Sequence, residues 1–157
     1  MLRGMAWTRS FTSRHAETQQ PLWAVLKDVE GWPRWDHDLV SAVLDGPVAV
    51  GTTGRLRPTG WLVGRLHARF AGPFRVTECT APRSIVIDQP IPAGAMRVEF
   101  HLDPATAGTV MLQRLVLTGP LRWAMVLVIG RRLARHAADR ARHIEASCGD
   151  ASMPTAA

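Results

Sequence analysis

Leu22-Trp23-Ala24-Val25-Leu26-Lys27-Asp28-Val29-Glu30-Gly31-Trp32-Pro33-Arg34-Trp35-Asp36 joins an amphipathic helix to a short turn that carries two tryptophans. Thr18 followed by Pro21 gives a helix start, and Leu22, Val25, Leu26 and Val29 fall on one stripe at helical spacing. Pro33 lacks an amide hydrogen and either breaks that helix or opens a second short one. Trp32 and Trp35 are three apart, so a single helical turn puts them on one side. There they can anchor the turn to a sheet, form an aromatic wall at a pocket mouth, or do both.

Working outward, Ala6 to Arg14 suits a first strand. Strand-like runs follow at Leu39–Leu44, Thr53–Arg57, Phe74–Cys79, Ser84–Asp88, Ala95–Leu102 and Thr109–Thr118. Gly46-Pro47, Pro82, Pro90-Ile91-Pro92 and Asp103-Pro104 punctuate them. Leu62–Phe70 reads as a further strand or an extended loop, and if extended it places His67 and Arg69 on a common face. Met96, Val98, Phe100 and Leu102 alternate with Arg97, Glu99, His101 and Asp103. One face of that strand is dry and the other wet, as in an antiparallel sheet covered on a single side.

The Trp32-x-x-Trp35 turn, Leu44-Asp45-Gly46-Pro47, the run Val50 to Pro58, Phe74-Arg75-Val76-Thr77-Glu78, Gly108-Thr109, Leu117 to Leu121 and Gly130-Arg131-Arg132-Leu133 come in an order and spacing of their own. Together, from Phe11 to Ile144, they resemble the START-like SRPBCC superfamily, in particular its polyketide cyclase/dehydrase branch. The resemblance implies an α+β helix-grip fold of the START/pollen-allergen type. In that fold a curved antiparallel sheet of about seven strands wraps a long C-terminal helix, two short helices follow the first strand, and an internal cavity is left. Thr59–Pro73 is longer than the family pattern has between its strands. The family's cyclases work by general acid/base groups that have no fixed family-wide positions.

The last helix carries Gly130, Ala134, Ala137, Ala141, Ile144 and Cys148 at helical spacing, with Arg131, Arg132, Arg135, Asp139 and Arg142 largely on other faces. A sheet facing glycine and alanine either closes up on them or leaves a void, and a void of useful size is a ligand cavity. The segment just before, Leu121–Ile129, is apolar almost all round. Core burial is the first expectation for it; a lid over the cavity, a dimer contact and a membrane-touching patch are the others.

The 157 residues fit one ordinary domain, taken as residues 1–148, with a polar and helix-breaking tail at 149–157. Cys79 and Cys148 are too few to staple a domain that builds its own core, and both read as reduced thiols. The N-terminus, Met1 to Trp7, lacks the uninterrupted apolar run of a signal peptide, and no stretch reaches the length of a membrane span, so a cytoplasmic protein without stable membrane insertion is expected. Of the 19 basic residues behind the net charge of +6, only Lys27 is a lysine. Pro120–Cys148 holds six arginines against Asp139 and Glu145, a local net of +4. A solvated outer helix face accounts for this, as does a surface for an anionic membrane or acidic partner; no nucleic-acid partner is expected.

No metal-ligand spacing, phosphate-binding glycine loop, nucleophile elbow or dinucleotide fingerprint is present, so neither metal nor cofactor is expected. Asp36-His37-Asp38 places a histidine between carboxylates, yet neighbours in a turn point apart and solvated loop residues are expected. His136 and His143, among arginines, read as surface residues. The polar pair Gln113-Arg114 sits in an otherwise apolar strand, and one of the two must face inward. Which one depends on a hairpin register that a bulge between Asp103 and Thr109 would change. The expected ligand-binding residues are Trp32, Trp35, Met96, Val98, Phe100, Gln113, Arg114, Leu127, Gly130, Ala134 and Ala137. The chain has no tyrosine, which removes one common proton donor. The leading expectation is therefore a monomer or homodimer that binds a hydrophobic or aromatic small molecule, with lipids and polyketide-like compounds among the candidates. A cyclase/dehydratase acting on a bound ketone is the first alternative, with catalytic residues unassigned. An interaction module built on the basic helix is the second.

Overall fold

The computed structural model describes residues 6–60, 65, 69, 71–92 and 94–151. Strand β1 (Trp7–His15) leads to helix α1 (Gln19–Lys27) and a 3-10 turn (Val29–Arg34). Six strands follow: β2 (Leu39–Leu44), β3 (Thr53–Pro58), β4 (Phe74–Thr80), β5 (Ser84–Ile91), β6 (Gly94–Pro104) and β7 (Thr109–Thr118). The C-terminal helical region comprises α2 (Arg122–Met125), a π-helical turn (Val126–Gly130), α3 (Arg131–Arg135) and α4 (Ala137–Ala151). His136, with φ −86° and ψ 2°, separates the last two.

The seven strands form one antiparallel sheet in the order β1-β7-β6-β5-β4-β3-β2. The two edge strands are consecutive in sequence, so α1 and the 3-10 turn must cross the concave face to connect them. Register shifts between Leu39 and Ser41 and between Val76 and Glu78 add to the curl. The β3–β4 contact is short, pairing Thr53 with Arg75 and Gly54 with Phe74. A Cβ on Gly54 would lie 2.4 Å from the Val43 carbonyl oxygen and 2.5 Å from the Phe74 ring, so no larger residue fits this junction.

The alternation along β6 holds, with Met96, Phe100 and Leu102 buried on the inner face. β7 repeats it, with Thr109, Met111, Gln113, Leu115 and Leu117 buried at every second position. α1 buries Leu22, Trp23 and Leu26, and its stripe packs with Ala141, Ile144 and Cys148 of α4 in the main core. Strand β5 continues through Pro90, paired with Ala95, and β6 through Pro104, paired with Thr109; these prolines therefore lie at strand ends inside the ladder. Neither cysteine forms a disulfide. His67 and most of Leu62–Phe70 lie outside the described residues. Among the described residues no helix is long and apolar enough to cross a membrane.

The apolar segment before Gly130 departs from the first expectation. Leu121, Trp123 and Leu127 are exposed, and Val126 is the buried side chain among those described there. One helical face touches the sheet; among the described residues, nothing covers the rest.

Candidate functional site

The inner faces of β6 and β7 and the last helical region enclose an apolar cavity of about 200 Å³. Met96, Val98, Phe100 and Leu115 form its floor, Ala134 and Ala137 its helical wall, and Trp32 closes one end. The aromatic end is held by a hydrogen bond and by ring contacts. The Trp32 indole Nε1 donates to the Leu26 carbonyl at 2.8 Å, and the rings of Trp32, Trp35 and Phe100 lie 5.6–5.9 Å apart in tilted and edge-to-face contacts.

The polar end is built by the loop after the 3-10 turn. The Asp36 amide donates to the Trp32 carbonyl, and the Asp36 carboxylate accepts from the Asp38 amide at 3.0 Å. This local turn holds both carboxyl groups inward just before β2. Arg132, His136 and Arg140 are four residues apart, so one side of the helix presents all three to Asp38. Arg132 Nε donates to Asp38 Oδ1 at 2.7 Å, His136 Nδ1 lies 2.9 Å from Oδ2, and Arg140 Nη1 is 3.4 Å from the same oxygen. The Asp38 side chain is 5% exposed and that of Arg140 11%. Arg140 also donates to Gln113 Oε1 at 3.3 Å and to the Leu133 carbonyl at 2.6 Å, and Arg132 hydrogen-bonds the backbone and hydroxyl oxygens of Thr59. Gln113 Nε2 donates to the Ala137 carbonyl at 3.1 Å. Each of these charged and amide side chains thus has a partner, as a dry site requires.

Asp36 borders the cavity beside this network. Burial raises its carboxyl above the ordinary value of 3.8, and the repulsion of Asp38 adds to this; the Arg140 guanidinium, the Asp38 amide and His136 work in the opposite direction. A carboxyl group so placed can hold and release a proton closer to neutral pH than a solvated one. Next to it the Asp38–Arg132–Arg140 network presents fixed charge.

The hairpin register settles the Gln113-Arg114 pair. Phe100 is opposite Gln113 and Glu99 is opposite Arg114, so Gln113 shares the inner face and Arg114 the outer. Arg114 adjoins the cavity wall, but its guanidinium pairs with Glu99 at 3.3 Å. Trp32, Met96, Val98, Phe100, Gln113, Ala134 and Ala137 also border the cavity. Trp35 lies in the core, packed on Trp32 and Phe100. Gly130 sits where a Cβ would be 3.0 Å from both Leu117 and the Trp7 ring. Leu127, 61% exposed, belongs to a separate outer groove with Trp7, Arg9 and Trp123.

The charged residues correct two expectations. Asp36 and Asp38 are buried, not solvated, because the turn directs both carboxyls toward the helix. Arg140 is largely buried against Asp38, and Arg132 and His136, exposed on one side, converge on the same carboxylate. The spacing Arg132, His136, Arg140 was the available signal; it names a charged helical stripe, and a distant acidic partner must be found before that stripe can be placed inside. His37 is exposed and packs against His143 in a tilted contact, with ring centroids 4.5 Å apart.

No curated protein matches the chain. Among solved structures, a protein from Rhodobacter sphaeroides aligns with a TM-score of 0.67 at 21% identity, over 91% of this chain and 92% of that one. The di-domain ARO/CYC StfQ from the steffimycin biosynthetic pathway aligns with a TM-score of 0.71 at 15% identity, over 94% of this chain and 52% of its own. A protein from Thermus thermophilus aligns with a TM-score of 0.67 at 12% identity, over 94% of this chain and 100% of that one. At these identities the likeness establishes the fold. Residues 15–149 match the family model described as polyketide cyclase/dehydrase and lipid transport. With that match over most of its length and a seven-stranded sheet curled against a C-terminal helix, the chain belongs to the polyketide cyclase/dehydrase and lipid transport family of the SRPBCC superfamily.

Proposed function

We propose that the protein binds an apolar or aromatic small molecule in the cavity, with an oxygen-bearing end of the ligand directed to Asp36 and Arg140. The observation that carries this reading is the cavity itself, with aromatic and aliphatic walls and polar groups gathered at one end. Specific small-molecule sites combine an apolar lining with a few placed polar groups in this way. The family's description, which includes lipid transport, and its structural likeness to ARO/CYC proteins agree with such a ligand. The volume of about 200 Å³ favours one or two rings or a short acyl chain, given that a cavity of about 150 Å³ accepts benzene. Titration with an environment-sensitive apolar dye, together with mass spectrometry of compounds that co-purify with the native protein, tests the reading. Saturable dye binding lost in Ala137→Phe supports it; a protein that takes up no dye and carries no compound refutes it.

One observation favours a second reading, acid/base chemistry on a bound ketone: the raised carboxyl of Asp36 at the cavity edge. In its ionised form Asp36 removes a proton from the carbon next to the carbonyl, and the electron pair moves onto the carbonyl oxygen, where Arg140 stabilises the enolate. Deuterium exchange into a two-ring ketone such as 2-tetralone, followed by NMR, is the test. Exchange accelerated by the protein and abolished in Asp36→Asn supports catalysis, whereas binding without accelerated exchange leaves the protein a carrier. An interaction module built on the basic helix ranks third, because Arg132 and Arg140 direct their charge to Asp38. The same reading takes the protein to be a cytoplasmic monomer or homodimer that needs no nucleic acid.

A further inference from the structure

Two turns of helix beyond the cavity, the end of β1, the turn that follows it and α4 bring three ligand-type side chains together. His15, Glu17 and Glu145 each offer one atom, and these atoms all lie within 4.8 Å of one another. His15 is the telling member. Its side chain is 1% exposed, yet Nδ1 has no hydrogen bond, and its nearest carboxylate oxygen, Glu145 Oε2, is 3.6 Å away. Glu17 Oε2 is likewise buried without a hydrogen bond. Buried polar atoms are nearly always satisfied, and leaving one unpaired is destabilising. Two such atoms on members of one cluster are in want of a partner.

We propose that this cluster is a binding site for a divalent transition-metal cation, Zn²⁺ foremost. The spacing of His15 and Glu145 suits one. Ligand atoms about 2.1 Å from a tetrahedral Zn²⁺ stand about 3.4 Å apart, close to the His15–Glu145 separation, which is too long for a hydrogen bond. Glu145, 40% exposed on its side chain, has room to move inward. The second ring nitrogen of His15 is already held: Nε2 lies 2.8 Å from Ser13 Oγ. When Nε2 carries the proton and donates it to that hydroxyl, Nδ1 presents a bare lone pair, the arrangement common around metal-bound histidines. One imidazole with two carboxylates suits zinc, while Mg²⁺ and Ca²⁺ favour sites made wholly of oxygen. Cys148 lies on the same helix as Glu145, where its Sγ donates to the Ile144 carbonyl at 3.3 Å. The site would tie β1 and its following turn to α4, and it is independent of the ligand reading. Sequence spacing does not reveal it because Glu145 lies far along the chain from His15 and Glu17.

The test uses the full chain, stripped with chelator and titrated with Zn²⁺ alone, against Mg²⁺ as the control ion. Competition with a chromophoric chelator reads affinity, and the melting temperature reads coupling to the fold. Binding of one Zn²⁺ per chain is expected, with a rise in melting temperature and no response to Mg²⁺. Glu145→Gln, at a partly exposed position that should not disturb folding, is expected to weaken binding at least tenfold; His15→Asn should abolish it. Asp103→Asn, an exposed control carboxylate, should leave it unchanged. Absence of zinc binding at micromolar concentration overturns the proposal. So does binding that survives Glu145→Gln but is lost in His37→Ala, which would place the ion at the neighbouring His37–His143 pair.

Discussion

The upper and lower halves of the last helical region present the same kind of stripe to the fold, and the fold treats them differently. Gly130 is drawn tight against Trp7 and Leu117, Ala134 and Ala137 face a cavity, and Ala141, Ile144 and Cys148 are packed solid with α1. Small residues therefore do not make a void by themselves. What matters is the partner. Where α1 lies across the sheet, Leu22 and Leu26 fill the space above alanine. Where the chain has turned away through Asp36 and Asp38, no side chain of α1 arrives, and the helix sends Arg140 to meet the carboxylate. The cavity is the space between an aromatic turn that stops short and a charged network that cannot collapse into it.

The sharpest break in that contrast is the removal of its central charge. Asp38→Ala leaves Arg140 with little access to water, its ion pair broken and only the Asp36 carboxyl nearby, and breaking a buried pair costs about 3–5 kcal/mol. Arg132 and His136, more exposed, contribute less to that cost. Urea denaturation should show a loss near the lower end of that range, together with reduced dye binding as the helix shifts. A loss below about 1 kcal/mol would mean that water already screens the network and that it does not hold the cavity open.

Next in size is a paired substitution along the stripe. Ala141→Phe inserts a ring into packed core and should destabilise by about 1–3 kcal/mol. Ala137→Phe places the same ring toward the cavity and should cost markedly less while ending dye uptake. Equal costs at the two positions, read by chemical denaturation, would erase the distinction between the halves. A smaller effect is expected outside the cavity: Arg114→Met removes a partly exposed ion pair with Glu99 and should change stability by no more than about 1 kcal/mol, with ligand affinity unchanged.

Much of this architecture can be read from residue order. The alternation of Met96, Val98, Phe100 and Leu102 fixes which face of β6 is dry, and the β7 run Thr109–Thr118 follows the same rule, because strand periodicity is a local property. The Trp32–Trp35 turn is equally local. The polar end of the site is not. Asp38 and Arg140 stand more than a hundred residues apart, and a charged side chain has the same local pattern whether it faces water or a buried counter-charge. Periodicity separates apolar from polar faces; it does not say that a polar face is inside. Leu121–Ile129 shows the converse, since an apolar run announces a need for cover without naming what covers it.

The smallest change expected is opposite in sign, and it tests whether the polar end trades stability for chemistry. Burial raises the Asp36 carboxyl above its ordinary 3.8, and Arg140, the Asp38 amide and His136 offset part of that, so the net effect is modest. Between pH 3.8 and the folded-state value the native protein binds more protons than the unfolded chain. Stability therefore falls as pH rises through that window and stays level above it, the reverse of a salt-bridged carboxylate. Asp36→Asn keeps a side-chain oxygen to accept from the Asp38 amide and removes the ionisation. It should match the native protein below pH 3.8 and exceed it in stability at pH 7. Urea unfolding of both proteins across this range measures the gap. A gap that grows with pH identifies Asp36 as a group held in the site at a cost to the fold, whereas a gap that is reversed or flat would make it an ordinary paired carboxylate and remove the ground for acid/base chemistry there.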